Sequence, residues 1–137
     1  MAFGVMVAAA GAVWLVKAGV GRLAPSSGSD QIRAGGRSYP SGHAVAAVVC
    51  WGLLLEHAGG LGRRRRHALT ALLAGAAGLG MAALDSHWLS DVLAGWLLGA
   101  IVLGVALQAQ RTEAGVTVSR PLHRAAPREP AQPAPSG

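Results

Sequence analysis

Apolar positions along this chain gather into four long runs, at residues 2–20, 44–61, 68–84 and 92–107, with polar and turn-forming residues between them. None of the runs has a polar face wide enough to meet water, as a helix on the surface of a soluble bundle requires. A helix rises about 1.5 Å per residue, so roughly 17–25 residues cross ~30 Å of hydrocarbon. Each run lies near the lower end of that range. The pattern predicts an all-α polytopic membrane helical bundle of about four transmembrane helices. Its rival, four buried helices of a soluble bundle, lacks the polar faces it needs. Gly and Ala recur through the second and third runs, which favours close helix contact in a bilayer. No Lys or Arg precedes Lys17, so the first run does not read as a signal peptide, which carries its positive charge ahead of the apolar stretch.

After the fourth run the chain changes character. Pro121, Pro127, Pro130, Pro133 and Pro135 stand among Ala, Ser and Arg with no apolar period, a composition that cannot bury a core and predicts disorder. Two regions follow: a membrane domain at 1–110 and a disordered tail at 111–137. No internal repeat is present.

Composition sharpens this picture. Of the 137 residues, 52% are hydrophobic and 13% charged, about half the charged share of an average soluble domain. The net charge of +6 would admit nucleic acid as a partner. The arginines, however, sit between or after apolar runs, as cytoplasmic membrane anchors do, so no nucleic acid is expected. A single cysteine, Cys50, excludes an intrachain disulfide framework and a Cys-rich metal site. Arg63, Arg64, Arg65 and Arg66 lie between the second and third runs, which predicts a short cytoplasmic loop there. Both termini then face the cytoplasm, and Ser41 and Ser86 face outward. Arg22, Arg33 and Arg37 in the first outward loop run against the rule, unless they bind something anionic.

The candidate chemistry lies on that outward side. The loop before the second run ends in Ser38-Tyr39-Pro40-Ser41-Gly42-His43, and the third run ends in Leu84-Asp85-Ser86-His87-Trp88-Leu89-Ser90-Asp91. Two histidines, a carboxylate and a serine thus share one membrane boundary in a chain that otherwise has few such groups, and ionisable residues there mark function. Pro40-Ser41-Gly42 reads as a helix start: Ser41 caps it, Gly42 admits a ligand to the backbone, and the free N–H groups suit phosphate. His87 and Asp91 are four apart and share a helical face. Asp91 can fix one imidazole nitrogen and leave the other as a nucleophile, with His43 as general acid. A three-ligand zinc site of His43, His87 and Asp91 is the alternative. His57 and His67 flank the arginines at the other end and are assigned no role. Trp51, Trp88 and Trp96 are read as packing or interface residues.

These residues resemble the type-2 phosphatidic acid phosphatases, a family related to the vanadium-dependent haloperoxidases. The family has three blocks: Lys, six residues, Arg-Pro; Pro-Ser-Gly-His; and Ser-Arg, five residues, His, three residues, Asp. Here the second is complete at Pro40, Ser41, Gly42 and His43. The third keeps His87 and Asp91, followed by Val92-Leu93-Ala94-Gly95, and the first keeps Lys17 and Pro25. The resemblance spans residues 17–103. It implies an integral protein of the cell membrane that hydrolyses a lipid phosphate or polyprenyl diphosphate on the extracytoplasmic side. His87 would form a phosphohistidine, Asp91 orient it and His43 protonate the leaving group. Lys17, Ser41 and Gly42 would hold the phosphate, with no metal and no cofactor. Self-association into a homo-oligomer stays open.

Two family arginines are absent: their positions hold Ala24 and Met81. Arg22 is the nearby stand-in for phosphate binding. The family usually has about six helices, so either upstream helices are missing here or the true start lies earlier. The alternative function is a catalytically degenerate membrane protein acting in binding or assembly.

Overall fold

The computed structural model describes residues 2–84 and 87–118, with side chains as far as Glu113. Four α-helices account for most of it: α1 (Ala2–Val20), α2 (Gly42–His57), α3 (Arg63–Ala83) and α4 (Leu89–Val118), with a 3-10 turn at Pro25–Ser27. No strand occurs among the described residues. α2 is the central element and packs against the other three helices. Its inward residues Val45, Val49 and Leu53 form the core with Ala9 and Val13 of α1. Leu98, Val102 and Leu103 of α4 close over them.

Small residues set how near the helices come. A Cβ on Gly95 would stand 2.6 Å from the Ser41 carbonyl oxygen and 2.8 Å from the Ala44 Cβ. One on Gly99 would stand 2.9 Å from the Val48 Cβ. Glycine at these two points lets α4 lie directly on the first turns of α2, which fixes Asp91 against Ser41.

α1 and α4 are each long and apolar enough to cross a membrane. Both carry large apolar side chains on the outside, among them Phe3, Trp14, Leu97 and Val105, the arrangement expected where lipid rather than water covers the helix. α2 is apolar but has only 16 residues, and α3, with 21, opens on four arginines. Of the four expected spans, two therefore meet the requirement by length and composition.

Three boundaries differ from the sequence reading. α2 stops at His57 instead of continuing to 61, because Gly59 and Gly60 take positive φ of 63° and 67° and end the helix. The arginines are not in the connecting loop: Arg63–Arg66 form the first turn of α3 after the N-cap Gly62. Residues 111–118, expected in the tail, are helical, since α4 runs through Arg111 to Val118. Residues 119–137, and Ser86 with its expected outward position, lie outside the described residues.

Candidate active site

The connection between α1 and α2 doubles back on itself. Arg33 N donates to Val20 O at 2.8 Å, Gly36 N to Gly21 O at 3.0 Å, and Ser38 N to Arg22 O at 3.0 Å. Gly36 makes this crossing possible, because a Cβ there would collide with the Arg22 carbonyl. The crossing sets Ser38 beside Arg22 and leads directly into Pro40 and Ser41. Ser41 is the N-cap of α2: its Oγ accepts from Ala44 N at 3.3 Å, and its own N–H donates to the Asp91 carbonyl at 2.9 Å. Its side chain is therefore buried as a cap. Gly42 opens the helix and His43, exposed, follows it.

Asp91 sits in the first turn of α4 and is fully buried. A buried carboxylate must be paired, and this one is. Arg22 Nη1 donates to Oδ1 at 2.8 Å, while Ser38 Oγ and the Trp88 backbone N–H, the latter at 3.2 Å, donate to Oδ2. The Trp88 contact is the carboxylate half of a capping box at the start of α4. His87 Nδ1 lies 3.7 Å from Asp91 Oδ2 and 3.4 Å from Ser38 Oγ. With its proton given to Asp91, the Ser38 oxygen can accept only from His87 Nδ1–H, which leaves Nε2 as the free nucleophilic nitrogen. The His87 and His43 rings meet edge to face, with centroids 6.3 Å apart at an angle of 62°. Burial holds the His87 pKa below its usual 6.5, and the positive charge of Lys17 and the neighbouring His43 act the same way against the opposing pull of Asp91.

All seven sequence candidates gather around this end of the bundle, in differing states. Arg22 reaches the site but is fully engaged: besides Asp91 it donates to Asp30 Oδ1 at 2.6 Å and Ser90 Oγ at 2.6 Å. Its guanidinium also lies 5.4 Å from the centre of the Trp88 ring. Lys17 Nζ donates to the Arg37 carbonyl. Lys17 and Trp14 join two hollows of about 310 Å³ each. One is an apolar groove between α1 and α2 that also touches Met6, Ala9, Val13 and Gly42; the other lies under Gly35, Gly36 and Arg37.

Three side chains outside the seven candidates take part. Ser38 bridges His87 and Asp91, Arg37 lies beside Lys17, and Trp88 stacks on Arg22 while its Nε1 donates to Leu23 O at 3.1 Å. For Ser38 the available signal was a small polar residue next to the Pro-Ser-Gly-His block; nothing in spacing pointed its side chain inward. Among the described residues, no three of His, Cys, Asp and Glu converge as a metal-holding group. The zinc alternative therefore has two imidazoles meeting edge to face and a carboxylate already bound to Arg22 and Ser38.

In comparison with known proteins, the profile of the PAP2 superfamily fits residues 1–114. No curated protein and no solved structure matches the chain.

Proposed function

Because the chain belongs to the PAP2 superfamily, whose members are phosphatase-type hydrolases associated with membranes, we propose that it removes phosphate from a lipid phosphate or polyprenyl diphosphate through a phosphohistidine on His87. The observation that carries the reading is the edge-to-face pair His43 and His87, 6.3 Å apart, with Ser38 and Asp91 behind His87 Nδ1. A nucleophile needs the reacting atom within about 3–3.5 Å, and an acid needs its acceptor within about 2.6–3.2 Å. On this reading the phosphoryl group binds between the two rings.

In the first step His87 Nε2 attacks phosphorus, the P–O bond to the lipid breaks, and His43 gives its proton to the departing oxygen. In the second, His43 takes a proton from water as that water attacks the phosphorus. The P–N bond breaks and inorganic phosphate leaves. Asp91 and Ser38 offset the positive charge that grows on the His87 ring. Lys17 and the N–H groups at Gly42 hold the phosphoryl oxygens. Ser41 contributes by capping α2 and thereby aiming those groups. Arg22 serves the site by fixing Asp91. The α1–α2 groove, apolar and ending at Lys17 and Gly42, suits the hydrocarbon chain of such a substrate. The site faces the extracytoplasmic side and the Arg63–Arg66 end faces the cytoplasm, supported by the positive-inside rule and the length of α2 between them.

A second reading has its own support. Ala24 and Met81 stand where the family resemblance calls for arginine, and Arg22 is occupied by Asp30 and Asp91. A protein without enough cationic grip on phosphate would keep the fold as a binding or assembly unit. Purified protein assayed against a panel of lipid phosphates and polyprenyl diphosphates separates the two. The phosphatase reading expects phosphate release that survives EDTA and is inhibited by orthovanadate. Release lost in EDTA and restored by zinc would favour the metal site. No release by the parent, but release by an Ala24→Arg, Met81→Arg variant, would favour the degenerate reading.

A further inference from the structure

At the end of the bundle away from His43 and His87, α3 and α4 flank a half-open space that the reaction does not use. The two helices touch at Gly78, where a Cβ would stand 2.6 Å from both Trp96 Cζ2 and Val92 Cγ1. Trp96 Nε1 then donates to Ala74 O at 3.1 Å. Beyond this junction α3, α4 and α2 surround a cavity of about 560 Å³ walled by Val48, Ala71, Gly75, Trp96, Leu103 and Gly104. Gly75 and Gly104 meet nothing within 4 Å. This volume lies within the range of about 300–1,000 Å³ usual for small-molecule sites. Its polar side chains besides Trp96 are His67 and Thr70, both in the first half of α3.

The same helix face continues to a strong positive charge. Arg63 and Arg64 precede His67 by four and three residues, so they share its face of α3 and lie just beyond the cavity's His67 end. Arg66 is committed to Glu56 at 2.8 Å. Arg63, Arg64 and Arg65 are exposed and have no ion-pair partner among the described residues, and the first turn of α3 holds no acidic residue. An apolar cavity with a cluster of unpaired cations at one end matches an amphiphile with an anionic head. From Arg63 to Gly75 the helix covers about 18 Å, a length suited to an acyl chain.

We propose that this cavity binds one anionic phospholipid, with an acyl chain between α3 and α4 and the headgroup phosphate on Arg63 and Arg64. The site is separate from the one that turns over substrate. It rests on the membrane-embedded reading above and not on the phosphatase one.

The test is native mass spectrometry of the full chain in detergent with equal amounts of phosphatidylglycerol and phosphatidylcholine carrying the same acyl chains. The parent should retain one phosphatidylglycerol in preference to phosphatidylcholine. R63Q/R64Q should bind phosphatidylglycerol about 30-fold more weakly, since each basic residue near an anionic headgroup contributes roughly fivefold. Gly75→Leu, or Ala71→Leu should the first variant fail to fold, fills the cavity and should abolish retention of either lipid. Equal retention of the two lipids by the parent overturns the proposal. So does phosphatidylglycerol retained by both folded cavity-filling variants, which would leave the headgroup on surface arginines alone. A lipid-free dimer would give the cavity to a second copy, with the same consequence. Turnover measured on the same samples keeps the outcomes apart: lost turnover with lipid retained counts only against the phosphatase reading.

Discussion

Replacing Arg22 with alanine should both loosen the fold and cripple the site, and the structure says through which partner. The Arg22 side chain is 12% exposed and the Asp91 side chain 0%, so the variant leaves a buried carboxylate with only Ser38 and the Trp88 N–H. Removing one member of a buried pair costs about 3–5 kcal/mol, mostly because the remaining charge is stranded. The other Arg22 contacts contribute less. Asp30 is 56% exposed, which puts that pair at about 0–1 kcal/mol, and the Trp88 stack adds roughly 0.5–1 kcal/mol. With these contributions together, Arg22→Ala should lose about 3.5–7 kcal/mol, but only about 0.5–2 kcal/mol when the same change is made in an Asp91→Asn background. Arg22→Lys should recover part of the loss and not all of it, because an ammonium cannot span Asp91 and Asp30 as the guanidinium fork does. Equilibrium unfolding by SDS titration in mild detergent, followed by circular dichroism, measures all five proteins: the parent, the three single variants and the double variant. Equal losses in the two backgrounds, within about 0.5 kcal/mol, would refute the assignment of Arg22 to Asp91.

Other consequences can be checked in parallel. The His87 pKa lies below 6.5 and the reaction needs the neutral ring, so the acid limb of kcat/KM should set in below pH 6.5. Asp91 raises that pKa, so Asp91→Asn should move the acid limb lower; a shift upward would contradict the electrostatics. Ser38→Ala removes one hydrogen bond to a charged group, worth roughly 1.5 kcal/mol. It should lower kcat about tenfold with little change in KM, and an unchanged kcat would remove Ser38 from the site. For topology, in a Cys50→Ala background an impermeant thiol reagent applied to intact cells should label a cysteine at Ser26 and spare one at Gly62. The opposite pattern would invert the protein in the membrane.

How far the sequence could be read depended on the range of the interaction. α1 was legible to its last residue, because the apolar run meets Gly21, which takes a positive φ of 57°, and a polar connection. The arginines misled because a charge run looks like a loop, whereas Gly62 provides the N-cap and the helix starts on Arg63 itself. The end of α4 was hidden for a related reason. Gln108, Gln110 and Thr112 are polar but helix-compatible, and Thr112 Oγ1 even donates back to Gln108 O at 3.1 Å, so loss of apolarity marked the edge of the apolar layer and not of the helix. At the site, His87 and Asp91 are neighbours in sequence and were found by spacing. Ser38 and Arg22 reach Asp91 from 53 and 69 residues away, through a crossing at Gly36 that no local pattern announces. That crossing also explains why Arg22, foreseen as a grip on phosphate, holds a carboxylate.

The central claim is that His87 carries the phosphoryl group, and trapping that group tests it most directly. A phosphate ester with a good leaving group, labelled at phosphorus, would be mixed with the parent, His43→Ala and His87→Asn proteins, quenched in alkali to preserve phosphohistidine, and mapped by mass spectrometry. With such an ester the first step does not depend on the proton from His43, whereas hydrolysis of the intermediate still uses His43 as base. The account predicts a transient label in the parent, an accumulated label on His87 in His43→Ala, and neither label nor released phosphate in His87→Asn. Phosphate released by His87→Asn at the parent's rate, or a label residing on another side chain, would contradict it.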